Sequence, residues 1–298
     1  MKRHNMGGAL CAAMLAAVLT SLMLAGSASA TLTGDFTRFQ NCPYKTAEVY
    51  RCLYSQTIGG EVVLGNKKVP IVNEAVVQGG YTEPDEEGYS EFVAATNGQS
   101  LTKAPQPVPG GLAGLVNCKE ISNFIFRATC EVTFENGLTG ANSTLELARP
   151  ANEIRINEYH LAEGQGVALV LPVKVHLENP LLGESCYIGS STTPIIWELR
   201  TDTTNPPSPN TPITGNPGET EFLGGGTIAK LFNVEVVDNA WSAPGAEGCG
   251  GAFSFILDPI INTSVGVPAA AGRNTARLKT TIYEAPRFSV NKNNEENP

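Results

Sequence analysis

Cysteine is the residue type with the clearest chemical potential in this 298-residue chain. Cys11 lies in an apolar N-terminal run, and six cysteines follow it: Cys42, Cys52, Cys118, Cys130, Cys186 and Cys249. None has the Cys-x-x-Cys spacing of paired zinc ligands, so the sequence predicts neither a metal site nor a cofactor. An even set indicates disulfides, with 15 possible connectivities. Closeness along the chain favours the pairs Cys42–Cys52, Cys118–Cys130 and Cys186–Cys249.

Nucleophilic catalysis finds little support. The chain has no Gly-x-Ser-x-Gly motif, and only two of its three histidines, His160 and His176, lie beyond residue 30. A catalytic triad needs a histidine beside its nucleophile. His176 falls on the outward side of a predicted strand, which indicates a solvated side chain, and His160 precedes a Gly-rich turn. We therefore assign no catalytic residue.

Paired carboxylates, as in glycoside hydrolases, are harder to exclude because their separation is a spatial property. The candidates are Glu146, Glu153, Glu158, Glu178, Glu198 and Asp238. Glu146 and Glu198 alternate with apolar positions, so we expect both to face solvent. The acidic turn at 83–87 lacks the Asp-x-Asp-x-Asp-Gly pattern of a calcium loop and is predicted to be solvated.

Aromatic side chains are a third kind of candidate, because an exposed ring can stack on a sugar. Trp197 shares an alternating register with Ile195 and Leu199, which predicts a core position. Trp241 lies in the turn-like segment 238–244, where its ring could be exposed. Trp241 is therefore the one predicted ligand-binding residue.

The first thirty residues read as an export signal. A basic start is followed by an uncharged apolar run and by small residues that end in Ala28-Ser29-Ala30, which predicts cleavage after Ala30. The alternative is a membrane anchor, for which the apolar run is marginal in length and lacks a positive stop. The sequence thus predicts a secreted protein, extracellular or associated with the cell wall.

The charge of the chain limits its partners. Removal of residues 1–30 deletes Lys2 and Arg3 and no acidic residue, which changes the net charge from −9 to −11. An acidic surface repels phosphate backbones and anionic lipids, so we expect no nucleic-acid partner. No second apolar stretch of spanning length occurs, so we expect no membrane association after signal cleavage.

The predicted organisation begins with an N-terminal β-rich segment and linker at 31–110. It contains strand-like runs at 61–64 and 69–72. The following domain, 111–290, opens with an apolar stripe that predicts one short amphipathic helix around 119–132. A continuous helix would place Cys118 and Cys130 about 18 Å apart, too far for a disulfide. Either the helix is interrupted near Ser122, or these two cysteines pair elsewhere.

From about residue 140 the apolar period becomes two, as in β-strands. The clearest run is 167–177, which is predicted to lie at a sheet edge or to bulge at Pro172. Further alternation starts at Ile195, Phe232, Phe253 and Leu278. These strands predict a mainly β fold, an antiparallel sandwich or barrel. The Pro-rich stretch 201–220 is interpreted as a loop within the domain rather than a boundary, and 291–298 as a disordered tail.

Several phrases of this chain resemble a family of uncharacterised secreted proteins of high-GC Gram-positive bacteria (actinobacteria). They lie at 106–111 (QPVPGG), 134–140 (FENGLTG), 144–148 (TLELA), 171–180 (LPVKVHLENP), 185–190 (SCYIGS) and 245–251 (GAEGCGG). The resemblance covers roughly residues 90–285. It implies a bacterial, exported protein and suits a Cys186–Cys249 bridge, but it brings no known activity or site residue.

The sequence favours a secreted, disulfide-containing, non-catalytic protein that is structural or binds a cell-wall or extracellular polymer. One alternative is a secreted hydrolase, which needs a cleft with two carboxyl groups about 5–10 Å apart. The other is a carrier of a small apolar ligand, which needs an enclosed apolar cavity of about 300 Å³ or more.

Overall fold

A computed structural model describes residues 31–111, 122–125, 127, 128 and 140–297. The predicted export signal with its predicted cleavage after Ala30, and the cysteines Cys118 and Cys130, lie outside these residues. So does most of the helix predicted around 119–132.

The described chain is mainly β, as its alternating pattern predicts. Its strands are β1 (Arg51–Leu64), β2 (Lys67–Pro70), β3 (Ala75–Tyr81), β4 (Ser90–Ala94), β5 (Gln106–Pro107), β6 (Asn142–Leu147), β7 (Arg155–Ile156), β8 (Leu169–Glu178), β9 (Tyr187–Ile188), β10 (Ile195–Leu199), β11 (Glu219–Leu223), β12 (Ile228–Asp238), β13 (Ala246–Glu247) and β14 (Thr275–Pro286). Three α-helices are described over their full length, α1 (Glu158–Glu163), α2 (Ser254–Val265) and α3 (Arg287–Glu296), and residues 124, 125, 127 and 128 within the predicted 119–132 helix are also helical. Short 3₁₀ helices occur at Gly34–Phe39, Ala151–Glu153, Gly224–Gly226 and Gly251–Phe253.

The strands form one large antiparallel sheet that is not closed into a barrel. Its first half has the order β11-β12-β14-β1-β3-β4, and its second half continues β4-β7-β8-β6-β5. Strand β10 pairs with the edge of β8 opposite to the one that pairs with β6 and β7. A single backbone bridge between Arg200 and Val237 connects the end of β10 to β12. Strands β1 to β4 lie between β14 and β7, so the N-terminal segment shares this sheet with the rest of the chain.

The main core lies between the two halves of the sheet. Strands β8 and β10 contribute Leu171, Val173 and Trp197, and β12 and β14 contribute Val236 and Leu278 from the opposite side. Alternation explains this arrangement, because successive side chains of a strand point to opposite faces. Trp197 is buried here, as its register predicts.

A smaller core covers the outer face of the first half. Phe39, Cys42 and Val290 pack there against Ile228 and Ala285. Val290 belongs to α3, so residues 291–296, predicted to be part of a disordered tail, form a helix instead. The sequence window is polar, and it is the burial of Val290 and a hydrogen bond from the Tyr44 hydroxyl to Asn294 (3.1 Å) that fix this helix.

Two strand predictions need correction. The run that starts at Phe253 is the end of a 3₁₀ helix followed by α2, because Leu257, Ile261 and Val265 form a stripe of helical period that packs on the core. In β12, Phe232 is only half-buried, since a register shift between Leu231 and Val234 interrupts the alternation.

Pro172 does not lie at an edge, because β8 pairs with strands on both sides. On one side of β8, residues 169–170 pair with β7 and residues 173–178 pair with β6, and Pro172 lies between these two sets. Its carbonyl accepts a hydrogen bond from the Ala148 amide (3.0 Å). A missing N–H is tolerated at such an interruption of the ladder.

Two of the predicted disulfides, Cys42–Cys52 and Cys186–Cys249, are confirmed. The second encloses the Pro-rich stretch 201–220, which is an ordered loop. The Asn210 side chain donates to the carbonyls of Asn239 and Asn274, both at 2.8 Å.

Candidate functional site

An apolar cavity of about 140 Å³ lies in the main core, between the two halves of the sheet. Its walls come from both halves: Val62 of β1, Val77 of β3, Leu171 of β8, Val236 of β12 and Leu278 of β14 all line it. Each of these side chains faces inward because of strand alternation. The cavity is thus a property of the whole fold and not of one loop.

The polar side chains on its wall are largely bonded to the protein itself. The Gln106 side chain accepts from the amides of Val72 and Asn73 and donates to the carbonyls of Asn73 and Ala104, at 2.7–3.0 Å. The Thr280 hydroxyl donates to the Gln56 carbonyl at 3.0 Å. These groups leave little hydrogen-bonding capacity for a ligand.

Charge is nearly absent from the wall. Of the described residues that line the cavity, Lys67 is the one with an ionisable side chain, and none is a carboxylate, arginine or histidine. An apolar cavity of about 150 Å³ stays dry and is large enough for benzene. The cavity is smaller than the roughly 300 Å³ that the carrier alternative requires, so that alternative is not met as stated, and only a molecule about as small as benzene fits. Its shape and chemistry therefore suit a small apolar molecule.

The predicted carboxylate Glu158 belongs to a separate, polar cluster. It lies at the start of α1, accepts a hydrogen bond from the Tyr81 hydroxyl and lies 3.6 Å from Arg51 Nε. Arg51 Nη2 lies 3.8 Å from a second carboxylate, Glu284 of β14. Strands β3, β1 and β14 are neighbours in the sheet, which is why their side chains meet here.

Burial dominates the electrostatics of this cluster. It raises the pKa of Glu284 to about 7, with the charge of Glu158 acting in the same direction and Arg51 opposing it. Burial also raises the pKa of Tyr81 well above its ordinary value. Glu284 Oε1 is buried and has no hydrogen-bond partner. A carboxyl so enclosed is poorly placed to meet a substrate.

Sequence reasoning missed Arg51, Tyr81 and Glu284. A usable signal existed for Glu284, because it continues the inward register of Leu278, Thr280 and Ile282, where a charged residue stands out. No comparable signal identifies Arg51 or Tyr81, since their meeting depends on strand pairing.

Glu146 and Glu178 come together with His176 on the outer face of β6 and β8. Glu146 pairs with Lys103 at 2.8 Å and Lys174 at 3.5 Å, and His176 Nδ1 lies 3.8 Å from Glu146. Burial acts to raise the pKa of Glu146, but the hydrogen bond and charge of Lys103 outweigh it and the pKa is lowered. Glu146 is only 9% exposed, so the prediction that it faces solvent is wrong.

His176 is on the outward side of β8, as predicted, but it is not freely solvated. Its ring stacks on Tyr187 with the centroids 4.4 Å apart, and its side chain is 17% exposed. His160 lies in α1, and its ring contacts the loop that follows this helix, with Nδ1 3.0 Å from the Val167 carbonyl oxygen. Its role is therefore structural.

Among the other candidate carboxylates, Asp238 of β12 and Glu198 of β10 are neighbours. Asp238 is buried and accepts from the amides of Glu198 (2.7 Å) and Ala240 (2.9 Å). Burial raises the pKa of Asp238. Glu198 is exposed, as predicted, and Glu153 pairs with Arg149 at 3.5 Å.

Trp241 is buried, with 4% of its surface exposed. Its ring packs edge-to-face against Trp197 with the centroids 5.9 Å apart, and its Nε1 donates to the Asp238 carbonyl. The expectation that its position in a turn exposes the ring is therefore wrong. Trp241 supports the wall that Trp197 presents to the cavity.

The acidic turn is organised by Asp85. One carboxylate oxygen accepts from the amides of Glu87 and Tyr89, and the other from Arg155 at 2.8 Å. The Tyr89 amide is the main cause of the lowered pKa of Asp85. Across the described ranges, no group of three or more metal-ligating side chains converges, and no helix is long and apolar enough to span a membrane.

Fold and site together define a disulfide-linked antiparallel β protein with an apolar cavity in its core. Comparisons with protein-family models, curated proteins and solved structures found no match. Function is therefore inferred from geometry alone.

Proposed function

We propose that this protein is a non-catalytic extracellular protein that binds a small apolar molecule between the halves of its sheet. The observation that carries the proposal is the 140 Å³ cavity, whose wall is almost entirely apolar. Voids larger than a water molecule are few in close-packed interiors. Small-molecule sites are lined mainly by apolar side chains, as this cavity is.

Two further observations support this assignment. Disulfides persist in oxidising compartments, so the two bridges are compatible with export. The candidate carboxylates Glu146 and Glu158 are held in ion pairs outside the cavity. The polymer-binding hypothesis stays a prediction, and it is compatible with a ligand in the core because a polymer would contact only the surface.

The test is a titration of the secreted protein with benzene and toluene, followed by tryptophan fluorescence and thermal unfolding. Trp197 lines the cavity and Trp241 packs behind it, so the emission of both tryptophans reports on its wall. Ligand at one hundred times its Kd stabilises the folded state by about 2.7 kcal/mol. We expect a saturable rise in the unfolding temperature.

Val236→Phe places a ring where the ligand would lie and should abolish this rise. Val72→Phe is the matched control, because Val72 is 59% exposed and does not line the cavity. An absent rise in the wild type, or an equal rise in the wild type and Val236→Phe, would contradict the proposal.

A further inference from the structure

A groove of about 600 Å³ lies at the end of three neighbouring strands, and its lining includes several charged side chains, unlike the wall of the cavity. It is lined by residues 47–51 before and at the start of β1, by 82–83 after β3, and by 286–288 at the junction of β14 and α3. We call it the strand-end groove. Its volume falls within the range of small-molecule sites, about 300–1,000 Å³.

The three walls of the strand-end groove are fixed to each other. The Tyr50 amide donates to the Tyr81 carbonyl at 2.8 Å, and the Arg287 amide donates to the Tyr50 carbonyl at 3.1 Å. The Cys42–Cys52 disulfide closes the chain segment that contains residues 47–51. A groove held in this way is preorganised, so binding would not require ordering of its walls.

Arg51 gives the groove a positioned hydrogen-bond donor. Its side chain is 21% exposed and is held near Glu158 and Glu284, whose carboxylates offset its charge. Arg51 Nε is buried and lies 3.6 Å from Glu158, so it is not available to a ligand in the groove. Because the guanidinium carries five N–H groups in a rigid fork, it can serve these carboxylates and a ligand together.

The remaining lining combines exposed rings with balanced charge. Phe288 is 71% exposed and Tyr50 is 44% exposed, both large values for aromatic side chains on one groove. The charged side chains of the lining are two arginines, Arg51 and Arg287, and two glutamates, Glu48 and Glu83, so neither sign of charge dominates the groove.

We propose that the strand-end groove binds a neutral polysaccharide. Sugar rings have an apolar C–H face that stacks on an aromatic ring, here Phe288 and Tyr50. Sugar hydroxyls both donate and accept, which matches a lining with arginine donors and carboxylate acceptors. A charged polymer would instead favour a groove with one sign of charge. The proposal does not depend on ligand binding in the cavity.

The experiment measures retention of the secreted protein on three insoluble neutral polysaccharides: cellulose, chitin and a β-1,3-glucan. Wild-type protein should be retained on at least one of them, and Phe288→Ala should weaken retention at least tenfold. Because the Phe288 side chain is largely in solvent, its truncation should leave the fold intact. Phe255→Ala is the matched control, since Phe255 is 75% exposed on α2 and lies outside the groove.

Three results would overturn the proposal. They are no retention on any of the three polymers, an equal loss with Phe288→Ala and Phe255→Ala, and loss of retention in about 0.5 M salt, where charge attraction is screened. Release of soluble sugar during incubation would show catalysis and replace simple binding. Val236→Phe should leave retention unchanged, which separates this result from the test of the cavity.

Discussion

Filling the cavity should stabilise the protein, and the neighbouring residue provides an unusually close control. Val236 and Val237 are consecutive residues of β12, both buried, with side chains on opposite faces. Val236 lines the cavity and Val237 does not. The same substitution, valine to phenylalanine, therefore places the same added atoms into a void at one position and into packed protein at the other.

The magnitude follows from the cavity volume. A residual cavity costs about 24 cal/mol per Å³, so a volume of 140 Å³ corresponds to about 3 kcal/mol of lost stability. A phenylalanine ring fills part of this space, and we expect Val236→Phe to raise the free energy of unfolding by about 1–2 kcal/mol. Without a void, overpacking costs about 1–3 kcal/mol, which is the expected loss for Val237→Phe.

Urea unfolding with the disulfides intact measures both variants, because a changed midpoint at constant slope reports a change in stability. The two substitutions should shift the midpoint in opposite directions. Destabilisation of Val236→Phe by as much as Val237→Phe would refute the reasoning, since it would mean that the space beside Val236 is already filled.

Three other predictions concern the buried carboxyl, the disulfides and export. Folding raises the pKa of Glu284 from 4.5 to about 7, so the protonated carboxyl stabilises the folded state. This contribution to the free energy of unfolding, about 3 kcal/mol, is complete below about pH 4.5 and is lost as the pH rises through 7. Glu284→Gln should remove this pH dependence from urea midpoints measured between about pH 4.5 and 8. Replacing Cys186 and Cys249 by alanine opens a loop of 63 residues and should lower the free energy of unfolding by about 4 kcal/mol. Opening the 10-residue Cys42–Cys52 loop in the same way should lower it by about 3 kcal/mol. Equal losses in thermal or urea unfolding would contradict the chain-entropy argument. Intact-mass analysis of secreted material should show a chain that begins at Thr31 with no free thiol, and a retained leader would contradict the predicted cleavage.

The sequence pattern was sufficient for the fold class and for two disulfides, because period-two alternation and cysteine proximity are local properties. It was insufficient where two periods compete. Phe253 and Phe255 alternate like a strand, but Leu257, Ile261 and Val265 have helical spacing, and it is the second set that packs on the core. Tertiary packing decides between such patterns.

The candidate site was less accessible to sequence reasoning. Trp241 shows why, since a turn-like sequence says nothing about what covers the turn, and Trp197 covers this one. The cavity could not be located because its volume depends on the distance between strands β8 and β12, which no residue spacing encodes. Residues at the strand-end groove converge only after β3, β1 and β14 pair.

The energetic cost of the cavity is itself an argument for a function. Folded domains are stable by only about 5–15 kcal/mol, so a void that costs about 3 kcal/mol takes a large share of that margin. The cost could be relieved by one larger side chain, since residues such as Val77 and Val236 line the void. The Cys186–Cys249 bridge, worth about 4 kcal/mol, offsets a loss of this size without filling the space. The fold thus keeps the cavity open, and the disulfide offsets the stability that the cavity costs. This combination is expected when a ligand occupies the cavity, because proteins give up stability at ligand sites for activity.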